Sequence, residues 1–354
     1  MLLILNTGSS SIKTALFSED LTEILSGQVT GIGGGTGALE LGGRKGPVAA
    51  PDHASALAAL LSALEARGIG GIEGVGHRVV HGGTRLTAPV RLDAAAIAVI
   101  EDNVPLAPLH NPPGLAGIRA MAASRPDLPQ FASFDTAFHA GQPEVQTSYA
   151  LPADWRARGL RRYGFHGLSY AGMVERFGAD LPERLLALHL GGGCSLCAIR
   201  DGRSLATTMG YSPLSGPTMA TRTGEIDGMA VLRIAEEAGI AEAARILNKD
   251  SGLLGLGGSA DMRTLMADDS DKARFAVDHF VWTLVREAGA LIAVMGGVDA
   301  VAFTGGIGEN AAPIRDRVMA GLSFLGPLPV HVVPAEEERQ IARDAMRLLR
   351  GEAA

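Results

Sequence analysis

The hydrophobic pattern of the chain repeats one motif at long range. An apolar run at residues 2–5 enters Asn6-Thr7-Gly8-Ser9-Ser10-Ser11-Ile12-Lys13 and resumes over 12–17. This predicts two strands joined by a tight turn of small hydroxyl residues. The pattern returns with a strand over 184–190, the turn Gly191-Gly192-Gly193 and a partner strand over 195–200. A third apolar strand, 299–304, ends in the glycine-rich turn Gly305-Gly306-Ile307-Gly308-Glu309-Asn310. Helical spacing (Leu57, Leu60, Leu61, Leu64) predicts a helix over 54–67 that stops at Gly68. Further helices are expected over 93–102, 113–123, 167–177, 227–238, 241–248, 272–295 and 335–349. A strand leads into the segment 76–83, a short one over 131–134 ends at Asp135, and the glycine-rich stretch 31–46 reads as short strands and turns. The recurring strand–turn–strand unit suggests an α/β protein with a remote internal duplication at the scale of a domain.

Glycine and serine in such turns let the backbone come close to a ligand and point several N–H groups one way. Glycine is 47 of 354 residues, so a single glycine turn would mean little. Three of them at strand ends predict phosphate chains as guests, and a nucleotide held between two halves.

The remaining composition narrows the class. With 47% hydrophobic and 19% charged residues, the chain is globular, and its length favours about two domains. A net charge of −7 argues against a nucleic-acid binder. No apolar run is long enough to span a membrane, and the start lacks the basic flank of a signal peptide. Two cysteines in so long a chain point to a reducing compartment, hence the cytoplasm. Cys194 and Cys197 fall on a predicted strand, where residues three apart sit roughly 10 Å apart on opposite faces. That exceeds the reach of a disulfide, about 7 Å, so both are expected to be buried and inert.

No P-loop and no protein-kinase motif set is present, and His77-Arg78-Val79-Val80-His81 has Arg where a zincin needs Glu. What remains is a set of polar residues among small and apolar ones: Arg78, His81, His110, Asp135, His139, His166, Arg222, Glu225, Asp227 and Glu309. Phosphoryl transfer needs cations around the moving group, a carboxylate for Mg²⁺ and alignment of donor with acceptor. Arg78, Arg222 and His166 could supply the donors, and Asp135 and Glu309 could hold the metal. No activated serine or cysteine nucleophile is evident. An acceptor that is already ionised, such as a carboxylate, would need no strong base.

These motifs, in this order, resemble the acetate kinase family, within the superfamily of acetate and sugar kinases, heat-shock chaperones and actin. The resemblance is carried by LNTGSSSIK, GHRVVHGG, APLHNPP, FDTAFH, RYGFHGLSY, LHLGGGCS, MGYSPLSG, TRTGEID, SGLLG and FTGGIGEN. It implies two ribonuclease-H-like domains with an interdomain nucleotide cleft. One would span 1–141 plus 334–354 on the acetate side, the other 142–333 on the nucleotide side. It also implies a homodimer that converts Mg-ATP (Mn²⁺ as a substitute) and acetate reversibly to acetyl phosphate and ADP.

By motif, Arg78 and Arg222 would bind acetate and phosphoryl group. His166 would stabilise the transferring group with His110 in support, and Asp135 would be the essential carboxylate. Val80, Leu109, Phe165 and Pro213 would line the methyl pocket. Lys13, His189, Gly191, Gly192, Gly193, Gly305, Gly306 and Ile307 would meet the nucleotide, and Asn6 and Glu309 the metal.

The chain departs from the family pattern at Gly192, where Asn is usual, and in shortened segments at 31–46, 257–261 and 325–332. The alternatives are propionate as acceptor, pyrophosphate as donor, or a nucleotide-binding relative with weakened catalysis.

Overall fold

A computed structural model describes residues 1–352. The chain divides into two compact units. One runs Met1–Ala140 and takes back the chain from Glu336; the other is Gly141–Ala335.

The first unit is built on eight strands: β1 (Leu2–Thr7), β2 (Ser11–Phe17), β3 (Glu23–Thr30), β4 (Gly35–Leu41), β5 (Arg44–Ala50), β6 (Gly74–Val79), β7 (Val90–Arg91) and β8 (Gln130–Phe134). Their order is β5-β4-β3-β2-β1-β6-β8-β7. β1 to β5 form an antiparallel meander, while β6 and β8 run parallel to β1. Parallel neighbours need crossover connections, which the helices supply. The helix His53–Glu65 starts where the Asp52 carboxylate accepts the Ser55 N–H (2.7 Å). It buries Leu57, Leu60 and Leu64 against Leu3, Leu5 and Ile12. Asp93 caps Ala94–Asp102 in the same way, and Pro112 and Pro113 open Asn111–Ser124. The last helix, Glu337–Leu349, lies on β1, β6 and β8.

The second unit holds β9 (Arg184–Leu190), β10 (Cys194–Arg200), β11 (Arg203–Thr207), β12 (Ala300–Thr304) and β13 (Val330–Val332), in the order β11-β10-β9-β12-β13. β9, β10 and β11 are antiparallel; β12 and β13 run parallel to β9. This repeats the arrangement of β3-β2-β1-β6-β8, so the duplication read from the strand–turn–strand pattern extends to strand order and direction. The helix Asp271–Met295 packs Ala276, Phe280, Leu284 and Ala288 into the unit's core and lies on β10.

Cys194 and Cys197 are free, fully buried residues of β10, and burial pushes each thiol up to about 12. Neither is reactive at neutral pH.

Some elements differ from expectation. The helix expected over 241–248 is Ile240–Arg245 followed by a π-turn, Ile246–Asp250. The GGIGEN segment is a short helix, Gly305–Asn310, rather than a turn. β3, β7, β11 and β13 carry polar or exposed residues and give little apolar signal. Among the described residues no helix is long and apolar enough to cross a membrane.

Candidate active site

In open sheets of this kind ligands gather beyond the carboxyl ends of the parallel strands. In the first unit, Asn6 lies at that end of β1, Arg78 on β6, and Asp135 directly after β8. Arg78 grips Asp135 with two nitrogens: Nε donates to Oδ1 (2.9 Å) and Nη2 to Oδ2 (2.6 Å). Its Nη1 lies 3.3 Å from Glu337 Oε2, at the start of the last helix. Burial works against the Arg78 charge, but the Asp135 and Glu337 carboxylates more than offset it, so its pKa lies above the ordinary value. Burial, with Asp135 close by, holds Glu337 above the usual carboxylate range, against the pull of Arg78 and Lys13. One N–H on Nη2 and at least one on Nη1 remain for an incoming anion. Lys13 is exposed and paired in register with Asn6.

Val80, half-buried, follows β6. The chain is held there by Asn111, whose Oδ1 accepts the His81 N–H (3.1 Å) and whose Nδ2 donates to the His81 carbonyl (3.0 Å). His110 precedes the same helix, and Leu109 beside it is exposed. His77 and His81 are buried, and burial pushes each down to about 4, so both are neutral at physiological pH.

In the second unit the polar residues gather around the β9–β10 turn. A Cβ at Gly193 would lie 3.2 Å from Arg222 Nη1 and 3.3 Å from His166 Nε2, so a guanidinium and an imidazole nitrogen meet at one glycine. Arg222 Nη1 also donates to the Pro213 carbonyl (3.0 Å). Burial pushes the Arg222 pKa below its ordinary value, and the group acting on its charge is the Cys194 thiol, not a carboxylate. His166 stacks on His189 (centroids 4.1 Å apart, planes at 25°), with Phe165 buried beside it.

Gly305, at φ 79°, sits against Leu190; a Cβ there would lie 2.7 Å from the Leu190 carbonyl oxygen, so only glycine lets the two strand ends close up. Glu309 Oε1 accepts the Gly305 N–H (3.1 Å) and the Ala335 N–H (3.0 Å). A cavity of about 560 Å³ opens between the glycine turns, lined by Gly191, Gly192, Met262, Arg263, Gly306 and Ile307. A Cβ at Gly192 would meet nothing within 4 Å, so packing does not demand glycine there.

Two sequence candidates have structural duties instead. Glu225 pairs with Arg286, and Asp227 caps the helix Gly228–Ala238 by accepting the Met229 N–H (2.7 Å). His139 is buried edge-on against Phe138. Sequence reasoning missed Glu337, which sits in a run of glutamates that reads as a solvated helix face. It also missed the Asp261–Arg263 wall of the cavity, which has no glycine motif of its own.

A family model described as the acetokinase family matches residues 1–343. The chain belongs to the acetokinase family. It is 40% identical over 389 residues to an acetate kinase of Nitrobacter hamburgensis, covering 98% of this chain and 96% of the relative. Among solved structures it resembles Porphyromonas gingivalis acetate kinase (TM-score 0.90, 34% identity, 98% and 99% of the two chains). It also resembles a propionate kinase from Francisella tularensis (TM-score 0.93, 32% identity, 98% and 99%). This acetokinase has the actin-like ATPase fold and is a kinase acting on acetate, with ATP and a divalent metal ion in its reaction.

Proposed function

We propose that the chain moves the γ-phosphoryl group of ATP directly and in line onto acetate, reversibly, with Mg²⁺ as the ion. The unit with residues 1–140 and 336–352 takes the carboxylic acid, and residues 141–335 take the nucleotide. The observation that carries this reading is the convergence of Arg222 Nη1 and His166 Nε2 at Gly193. A buried guanidinium with no carboxylate acting on it is a site for an anion, and donors fixed there act on the charge of the transferring group.

The glycine turns at 191–193 and 305–307 offer backbone N–H groups to the ATP phosphates, with His189 alongside. Arg78 and Asp135 orient acetate, which is already ionised and needs no base. On the first unit, Val80 and Leu109 are the proposed contacts of its methyl group, with His110 in support.

The donor set suits the metal. An ion that keeps waters and borrows phosphate oxygens needs only one or two carboxylates from the protein. When bound, Mg²⁺ neutralises charge on the phosphates. Glu309 has one oxygen engaged by two backbone N–H groups, whereas Asp135 and Glu337 bring two carboxylates together at Arg78, on the unit that carries Asn6. We therefore assign the ion to Asn6, Asp135 and Glu337 ahead of Glu309. Glu337→Gln should raise the Mg²⁺ concentration for half-maximal rate by about tenfold. Glu309→Gln should leave it within about twofold; the reverse pattern returns the ion to Glu309.

Purified protein with Mg-ATP and acetate, propionate or butyrate should yield acyl hydroxamate in a hydroxylamine trap, most with acetate and none with chelator. No product with any acid, from folded protein, would overturn the reading; product with pyrophosphate alone would replace the donor. Propionate remains the nearest competitor, because one methylene in an apolar pocket is worth only about 1–3 kcal/mol. Val80→Ala should shift the ratio of kcat/KM values toward propionate by about tenfold. An unchanged ratio removes Val80 from the pocket.

The protein is proposed to be a cytoplasmic homodimer. Met229 and Leu232 on Gly228–Ala238, and Phe275 and Trp282 on Asp271–Met295, are exposed large apolar residues of the kind that association buries. Sedimentation equilibrium would then report twice the chain mass.

A further inference from the structure

We infer that Ser195 and Tyr170 fix the proton of neutral His166 on Nδ1, so that only the imidazolium form of His166 can donate a hydrogen bond from Nε2 to a phosphoryl group. The inference rests on the placement of His166 beside that group proposed above.

One assignment of hydrogens turns all three short contacts into hydrogen bonds. Tyr170 Oη lies 2.8 Å from the Ser195 carbonyl oxygen, which can only accept, so the phenol proton is committed there. The same Oη lies 2.6 Å from Ser195 Oγ; with the phenol proton used, the serine hydroxyl is the donor. Ser195 Oγ lies 2.9 Å from His166 Nδ1, and with its own proton turned to Tyr170 it can only accept. Nδ1 therefore carries the hydrogen. Tyr170 and Ser195 are fully buried, so water does not compete. Burial also holds the phenol well above its ordinary pKa and keeps it protonated.

Neutral imidazole has one N–H. With that hydrogen on Nδ1, Nε2 presents a lone pair, and Nε2 is the atom that faces Gly193 beside Arg222. A lone pair aimed at phosphoryl oxygens repels them; a second proton turns the same atom into a charged donor. The active form is thus present at low pH and lost as pH rises through the His166 pKa in the complex. Among the groups facing His166 are Arg222 across Gly193, the stacked His189 ring (itself 2.9 Å from Ser169 Oγ through Nδ1), Tyr170, and the Cys194 thiol beside Arg222. Arg222 opposes the second proton, and an arriving phosphate favours it. His166 also holds a left-handed φ of 58°, uncommon for a residue with a side chain and suited to one held in a single orientation.

Tyr170→Phe tests this. It keeps the ring but deletes Oη, freeing the Ser195 proton to turn to His166 Nδ1. The neutral tautomer then carries its hydrogen on Nε2. In the free protein at alkaline pH, ¹⁵N NMR of histidine, assigned with His166→Gln, should show a protonated Nδ1 in the wild type and a protonated Nε2 in Tyr170→Phe. A wild-type protonated Nε2 overturns the inference whatever the activity.

The pH profile of kcat with acetate reads the consequence. The wild type should fall about tenfold per pH unit on its alkaline limb. Tyr170→Phe and, as a second variant, Ser195→Ala should move that limb up by about one unit or flatten it. A limb left in place, with kcat lowered by one factor at every pH and without the stated tautomers by NMR, marks a merely structural role and overturns the inference. If NMR gives the stated tautomers while the profiles coincide, the placement of His166 at the phosphoryl group is what fails.

Discussion

Replacing Arg222 by alanine should lower kcat for acetyl phosphate formation by roughly 10²–10³-fold and move the melting temperature by only a few degrees. The reason lies in the electrostatic state of this side chain. Its Nη1 donates to a backbone carbonyl, Pro213 O, and approaches Met219 Sδ at 3.8 Å; the charge has no carboxylate acting on it. Burial disfavours that charge, so folding gains little from keeping it. Losing the guanidinium removes this desolvation cost together with some packing, and the two effects oppose each other. An anion arriving at Gly193 uses the charge in full, and most strongly where charge develops during transfer. KM values for ATP and acetate should therefore change less than kcat. Steady-state kinetics and a thermal melt on the same sample decide the matter. A large fall in melting temperature with near-normal turnover would make Arg222 a structural residue.

Much of the frame was legible because apolar strands announce themselves. The β1–β2 hairpin, the β9–β10 hairpin and β12 are mostly buried apolar runs that lead into glycine-rich segments, and those segments carry their own signal. The helix Asp271–Met295 was legible within one residue, since its apolar period persists through its whole length. The strands that escaped notice lack this contrast; β13, for example, has two exposed residues of three.

The polar candidates were legible as a set but not in their pairings. Nothing in the sequence says that Arg78 is engaged by two carboxylates while Arg222 has none, because the partners lie far off in the chain: Asp135 is 57 residues from Arg78, and Glu337 lies near the C-terminus. The Ser195–Tyr170 contacts were hidden for the same reason, in a strand and a helix that each had a simpler reading. Glu225 and Asp227 show the same limit, since their surface ion pair and helix cap could not be read from the motif-rich stretch that holds them.

The two arginines thus predict opposite balances of stability and rate, and Arg78 gives the second large effect. Arg78→Ala should cost about 3–5 kcal/mol, the usual result of removing one partner from a buried ion pair. Its guanidinium bridges Asp135, which is 2% exposed, and Glu337, which is 14% exposed. Without it the two carboxylates face each other, with only the weaker pull of Lys13 on Glu337 to offset them. At about 2–4 °C per kcal/mol the melting temperature should drop by roughly 10 °C. Turnover should also fall by about 10² or more, because the donors left over for acetate go with it. Arg78→Ala combined with Glu337→Gln should recover part of the stability, since one of the opposed charges is gone, and none of the rate. Arg78→Lys should recover stability in part and little rate, because a single ammonium cannot reproduce the two-nitrogen grip on Asp135. Thermal melts across the three variants read the ion cluster, and the hydroxamate rate reads the acceptor site. If Arg78→Ala melts with the wild type, the cluster does not hold the first unit together. If it also turns over normally, Arg78 does not meet the acceptor.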